Sequence, residues 1–137
     1  MAVLTITDSD VAYASGGSQT HYEAGEVIDA GEVCYIKAAD GKAYLAINNV
    51  DDASATVKGF AVSSALKIGQ FVSLSFGASI ISVTSSTAGV PYYLASTAGK
   101  IFLESDIATG HRVCQVAVGA ADNKLNININ NSLVVAV

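Results

Sequence analysis

The segment Lys124-Leu125-Asn126-Ile127-Asn128-Ile129-Asn130 alternates polar and apolar residues at every step. Successive side chains of an extended strand point to opposite faces, so Leu125, Ile127 and Ile129 are expected inward and Asn126, Asn128 and Asn130 outward. The same period recurs where Val72, Leu74 and Phe76 alternate with Ser73 and Ser75, and Ile81 and Val83 with Ser82 and Thr84. No window of about 11–18 residues sustains a helical repeat. Further strands are expected at Val3–Thr7, Val33–Lys37, Lys42–Ile47, Thr56–Val62, Tyr92–Leu94, Lys100–Leu103, Arg112–Val118 and Leu133–Val137. Roughly ten short strands spaced about 8–12 residues apart predict an all-β chain, a compact antiparallel β-barrel or sandwich. Helix is limited to at most one short turn within Ser105–Gly110, capped by Ser105 or Asp106.

Turn residues agree with this reading. The Asp40-Gly41 pair lies between two strand runs, and hairpin turns of the primed types need positive φ, so Val33–Lys37 and Lys42–Ile47 should pair antiparallel. Ala24-Gly25-Glu26-Val27 recurs as Ala30-Gly31-Glu32-Val33, and Ser86-Thr87-Ala88-Gly89 as Ser96-Thr97-Ala98-Gly99. These repeats predict one turn type used several times, with Gly in the left-handed position. Pro91 opens a strand, where its missing N–H costs least. The chain divides into an N-terminal strand or arm, residues 1–20, and a single β-rich domain, residues 21–137; Gly16-Gly17 could hinge the arm.

Only 14% of the 137 residues are charged, against roughly 25% in an average soluble domain, so ordinary charges cannot coat the surface. The apolar fraction of 51% is too high for a disordered chain. No apolar run reaches the ~18 residues of a membrane helix. The opening residues lack a basic segment and soon meet Asp8 and Asp10, so they are not read as a secretory signal. The net charge of −5 divides unevenly: residues 1–52 carry nine acids and two bases, residues 53–137 three acids and five bases. This is either scatter among loops or a means for copies or partners to meet with opposite signs. Nucleic acid is not an expected partner, because the bases do not cluster and the only Arg is Arg112.

Candidate chemistry is sparse. Cys34 and Cys114 each sit in a strand-like run and are expected to be buried free thiols, not a disulfide framework or metal ligands. Asp8-Ser9-Asp10 and Asp51-Asp52 lack the rest of a calcium loop and are read as solvated loop acids. His21 and Glu23 share a strand face, but two ligands do not complete a zinc site, and His111 has no ligand neighbour in sequence. No Gly-x-Ser-x-Gly elbow occurs, and Gly16-Gly17-Ser18 is followed by no helix, so it is not a phosphate cradle. Asn130-Asn131-Ser132 fits a glycosylation sequon, which means little without a secretory signal. The chain is therefore read as a non-enzyme with no cofactor and no metal.

The motifs taken in order carry a resemblance. Ala24-Gly25-Glu26-Val27-Ile28-Asp29-Ala30-Gly31-Glu32-Val33-Cys34-Tyr35 is followed by Asp40-Gly41-Lys42-Ala43-Tyr44, Gly59-Phe60-Ala61-Val62 and Gly69-Gln70-Phe71-Val72. Then come Tyr92-Tyr93-Leu94, Thr97-Ala98-Gly99, Asp106-Ile107-Ala108-Thr109-Gly110 and the segment Val118 to Ala121 before the Asn-rich strand. Over residues 20–137 this resembles the small capsid decoration, or cement, proteins of tailed bacteriophages. The resemblance implies a β-rich, often trimeric protein, made in the host cytoplasm and bound outside an icosahedral head. Its partners would be the major capsid protein and further copies of itself as a homotrimer, without catalysis, nucleic acid or membrane. A β-rich host-recognition module on a head fibre or tail is the alternative, with Tyr22, Tyr92 or Tyr93 touching glycans.

Interface cores are poor in charge and rich in Tyr, so uncharged outward positions are the expected contacts. They comprise Tyr22, Tyr92, Tyr93, Asn126, Asn128, Asn130 and Val135. By alternation one of Tyr92 and Tyr93 should be core and the other surface or interface. The wholly apolar Leu133–Val137 would invite aggregation as a free edge, so it is expected either as a core strand or paired across an oligomer.

Overall fold

A computed structural model describes residues 3–4, 6–15, 18–77, 79–83 and 86–137. Its strands are β1 (Ala12–Ser15), β2 (Ser18–Glu23), β3 (Val33–Ile36), β4 (Ala43–Leu45), β5 (Gly59–Ala61) and β6 (Phe71–Phe76). They continue with β7 (Ser79–Ser82), β8 (Pro91–Leu94), β9 (Ile101–Leu103), β10 (Arg112–Ala121) and β11 (Lys124–Val135). One sheet has the order β1-β7-β11-β10-β8-β9 and the other β2-β6-β5-β3-β4. All pairings between these strands are antiparallel. The all-β expectation holds, and of its two forms the arrangement is sandwich-like.

Alternation explains how the sheets stack. Val33 and Phe60 of the five-stranded sheet join Ile81, Leu94, Ile101, Val116, Leu125 and Ile127 of the six-stranded sheet in one buried cluster. Burying a side chain the size of Phe60 or Leu125 contributes roughly 1.5–3 kcal/mol. The adjacent residues Cys34 and Ala61 point the other way and form a second cluster with Ile28, Ala65, Val72 and Leu74. Ile28 and Ala65 exchange backbone hydrogen bonds of 3.0 and 2.7 Å, closing a flap over that face. The five-stranded sheet is therefore covered on both sides. This corrects the expectation for Ser75: it pairs with Phe60, faces the other sheet and is fully buried. Phe76, expected inward, is half-buried beneath the Lys58 ammonium, 5.4 Å from its ring centre.

A short circuit of backbone bonds ties the two sheets together. Val33 N–H donates to Gly99 O (2.9 Å), Gly99 N–H to Ala46 O (2.7 Å) and Ala46 N–H to Val33 O (3.0 Å). Beside it the buried Glu32 accepts from Asp29 N–H at 2.8 Å and pairs with Lys100 at 3.1 Å. Gly99 has φ +76, and a Cβ there would lie 2.9 Å from Leu45 Cδ2 and 3.2 Å from Glu32. Gly89 and Gly31 are also left-handed, as the repeated turns predict. Gly25 is not. Its requirement is steric, since the Tyr44 ring occupies the space a Cβ would take.

Local expectations meet mixed outcomes. The Asp-Gly hairpin forms, with Tyr35 opposite Tyr44. The runs at Asn126 and at Leu133–Val137 merge into the single strand β11, broken in twist by Leu133 at φ +57. The helical turn lies at Glu104–Asp106 as a 3₁₀ turn with no side-chain cap, not as a capped turn over Ser105–Gly110. A four-residue helix α1 (Asp52–Ala55) stands where loop acids were expected, because Asp51 accepts from Ser54 N–H at 2.8 Å as its N-cap. A further 3₁₀ turn spans Asp8–Asp10.

The boundary expected at residue 20 falls inside β2. Val3 bridges to Phe102, Leu4 N–H donates to Ile101 O, and Leu4, Ile6 and Val11 pack on the main core, while β1 pairs with β7. These residues are part of the domain, not an arm. The strand expected at Val3–Thr7 reduces to that bridge. Gly16-Gly17, Thr5 and Thr84 lie outside the described residues.

Replacing Gly99 by Ala should lower unfolding free energy by about 2–5 kcal/mol, combining roughly 1–2 kcal/mol for the left-handed backbone with roughly 1–3 kcal/mol for overpacking. Gly41→Ala, at φ +71 with nothing within 4 Å, should lose only the backbone part, about 1–2 kcal/mol. Urea unfolding of both variants measures the difference. Equal losses would contradict a close-packed seam at Gly99.

Candidate interaction surface

Register across the β11–β10–β8 strands assembles an outer face row by row. Asn130 lies opposite Gln115, which in turn lies opposite Tyr93. Asn126, Val118 and Pro91 form a second row, and Val134 and Val113 a third. Paired residues share a face, so these side chains all point away from the core. With Asn128 and Ser132 between the rows, this face is uncharged from Asn126 to Val134, and Lys124 stands at its end with its Nζ 3.4 Å from Ser82 Oγ. Hydrogen bonding is incomplete on it: Asn126 Oδ1 is buried with no partner among the described residues.

The expected contact residues separate into two groups. Tyr93, Asn126, Asn128 and Asn130 come together on this face, with Asn128 and Asn130 exposed. Burial, and the nearby Glu104 carboxylate after it, push the Tyr93 hydroxyl above its ordinary range. Tyr92 points inward instead, only 4% exposed, and its hydroxyl accepts from Thr87 N–H at 3.1 Å. Tyr22 lies apart on β2, half-buried against the second core cluster. Val135 and Val134 are 48% and 64% exposed at the far end of β11, so the apolar C-terminal run is not a buried core strand. Asn131 points inward and grips Val57 through both polar atoms, its amide donating to Val57 O (3.0 Å) and its oxygen accepting from Val57 N–H (3.1 Å).

A second exposed feature escaped the strand pattern because it is a turn. Between β5 and β6, Leu66, Ile68 and Phe71 are 67%, 68% and 66% exposed, and Val27 beside them is 51% exposed. The turn is held by the Gln70 side chain, whose Oε1 accepts from Leu66 N–H (2.8 Å) and Lys67 N–H (3.2 Å). Gly69 N–H and Ala24 N–H then tie it to the flap through Ala24 O and Gln70 O. Three large apolar side chains around one lysine were the available signal. At the other sheet, Val90, Pro91, Leu103, Glu104 and Ser105 line an open groove of about 510 Å³, where β8 starts and β9 ends.

The charged and titratable candidates have individual partners. His21 Nδ1 lies 2.8 Å from Ser73 Oγ, while Glu23 pairs with Lys42 at 2.8 Å. His111 is buried against Phe102, its Nδ1 accepting from Ala108 N–H at 3.0 Å. Asp52 pairs with Arg112, so two bases of the second half, Lys100 and Arg112, meet acids of the first half within the chain. Asp8 and Asp10 are exposed in their 3₁₀ turn. Among the described residues no three His, Cys, Asp or Glu side chains converge as metal ligands, and no helix is long and apolar enough to cross a membrane. Cys34 and Cys114 are buried and free, and burial pushes both thiols up.

No protein-family model matches the chain, and no curated protein matches it.

Asn131→Ala should cost about 1–3 kcal/mol, because it strands the buried backbone groups of Val57, whereas Asn128→Ala and Asn130→Ala should stay within about 0.5 kcal/mol. Equilibrium unfolding of the three variants measures this, and a uniform response would contradict the inward–outward assignment. Both thiols should resist an aromatic disulfide reagent in the native protein and react together on unfolding; fast native labelling of either would contradict their burial.

Proposed function

We propose that the chain is a virion structural protein of the capsid-decoration type, bound from outside to the major capsid protein of a phage head. Copies would associate with one another, as a homotrimer, and together reinforce the shell without catalysing a reaction. The observation that carries this reading is the outer face of β8, β10 and β11, which is uncharged from Asn126 to Val134. Asn, Gln and Ser side chains can exchange hydrogen bonds across a contact without the large cost of stripping water from charges. Tyr93, Val113, Val118 and Val134 add apolar area to the same face.

Many weak contacts suffice for such a role. A standard interface buries about 1,600 Å² in total, and simultaneous engagement of linked copies multiplies the affinity of each contact. The motif order over residues 20–137 supports the same assignment through its resemblance to cement proteins.

The test uses the virus whose genome encodes the chain. Heads lacking the protein should release DNA at lower temperature and under milder osmotic shock, and adding purified protein should restore resistance. Replacing Asn128 and Asn130 with Asp should abolish rescue while leaving the fold intact. Unchanged head resistance together with no binding of the purified protein to heads would contradict the proposal.

A further inference from the structure

The β5–β6 turn is a small knob of defined chemistry. It presents Lys67 between Leu66 and Ile68, with Phe71 alongside, all four exposed. Lys67 has no ion-pair partner among the described residues, unlike Lys42, Lys100 and Arg112. Two hydrogen bonds to Gln70 Oε1 and the ties to Ala24 hold its backbone in one shape. A knob ordered in advance loses little entropy when it docks.

The groove on the other sheet has the opposite character. Val90, Pro91 and Leu103 supply an apolar lining, and Glu104 supplies an acid with no ion-pair partner among the described residues. The next acid, Asp106, closes the same 3₁₀ turn. The groove therefore suits a ligand that is apolar with a single positive charge, and the knob matches it. Pro91 also belongs to the uncharged outer face, so a body seated in the groove would extend over that face.

We infer that the β5–β6 turn of one copy seats in the β8–β9 groove of a second copy, with Lys67 facing Glu104 across the contact. Knob and groove belong to different sheets, so the contact is heterologous: each copy offers one of each. Such contacts close into a ring when the rotation between copies allows it and otherwise continue as an open chain. The inference rests on the self-association in the reading above and not on attachment to a capsid.

Sedimentation of the purified full chain tests it. The wild type should self-associate, and Lys67→Glu or Glu104→Lys alone should weaken association about tenfold or more by setting like charges together. The double variant should recover it, because each knob again meets a groove of opposite charge. Both positions are exposed, so unfolding midpoints of the dilute monomer should not move. A zero-length carbodiimide crosslinker applied to the wild type should join Lys67 of one copy to Glu104 of another. A wild type that stays monomeric would overturn both the contact and the self-association. Association that ignores the charge reversals, with crosslinks elsewhere and none between Lys67 and Glu104, would overturn this contact alone and leave self-association to another face.

Discussion

The sandwich depends on the three-way backbone circuit among Val33, Gly99 and Ala46. Two sheets packed only by side chains could slide, whereas directed N–H···O bonds set one register between them. Those bonds are shielded beneath Leu45 and the Glu32–Lys100 pair, where water competes poorly for the groups involved. Because the circuit fixes which face of the six-stranded sheet meets Phe60, it also fixes which face is left outside. The outer rows of Asn, Gln, Val and Tyr are a consequence of that choice.

Much of this was legible in residue alternation. A strand buried on one side announces its inward set, so Leu125, Ile127 and Ile81 could be assigned directly, and so could the outward Asn128 and Asn130. Alternation fails where both faces are covered, since polar and apolar positions are then no longer out and in. Ser75 is the clear case: a small side chain was needed opposite Phe60, and its hydroxyl was carried inside. Asn131 departs for a different reason, on a sheet with one open face: it is a polar residue at an inward position because Val57 needed a partner for both backbone groups. Helix α1 was missed because an Asp run reads as a loop unless the Ser three residues after Asp51 is taken as the recipient of a cap.

The candidate site was legible in part. Four of the seven expected contact residues meet on one face because cross-strand register aligned them, a property that no single strand contains. Tyr92 and Tyr93 illustrate the limit: one had to be core, and only the position of β10 decided which. The knob at Leu66–Ile68 was invisible to strand logic, since turns have no period and its exposure follows from the tie to Ala24. Sparse charge also takes on a definite form. Two ion pairs join the acidic and basic halves within the chain, and what remains exposed on the outer sheet is almost entirely uncharged. A surface of this kind suits a protein whose exterior is covered by neighbours in its working state.

For the proposed capsid role, high-resolution electron microscopy of phage heads on which this protein is native or to which it is added is the most direct measurement. The account predicts density for this chain at regular positions over the outside of the head, with Asn126, Asn128, Asn130 and Tyr93 covered by a neighbouring subunit. Density confined to tail tips or sparse fibres, or a head-bound protein whose β8–β10–β11 face is left wholly in solvent, would contradict it.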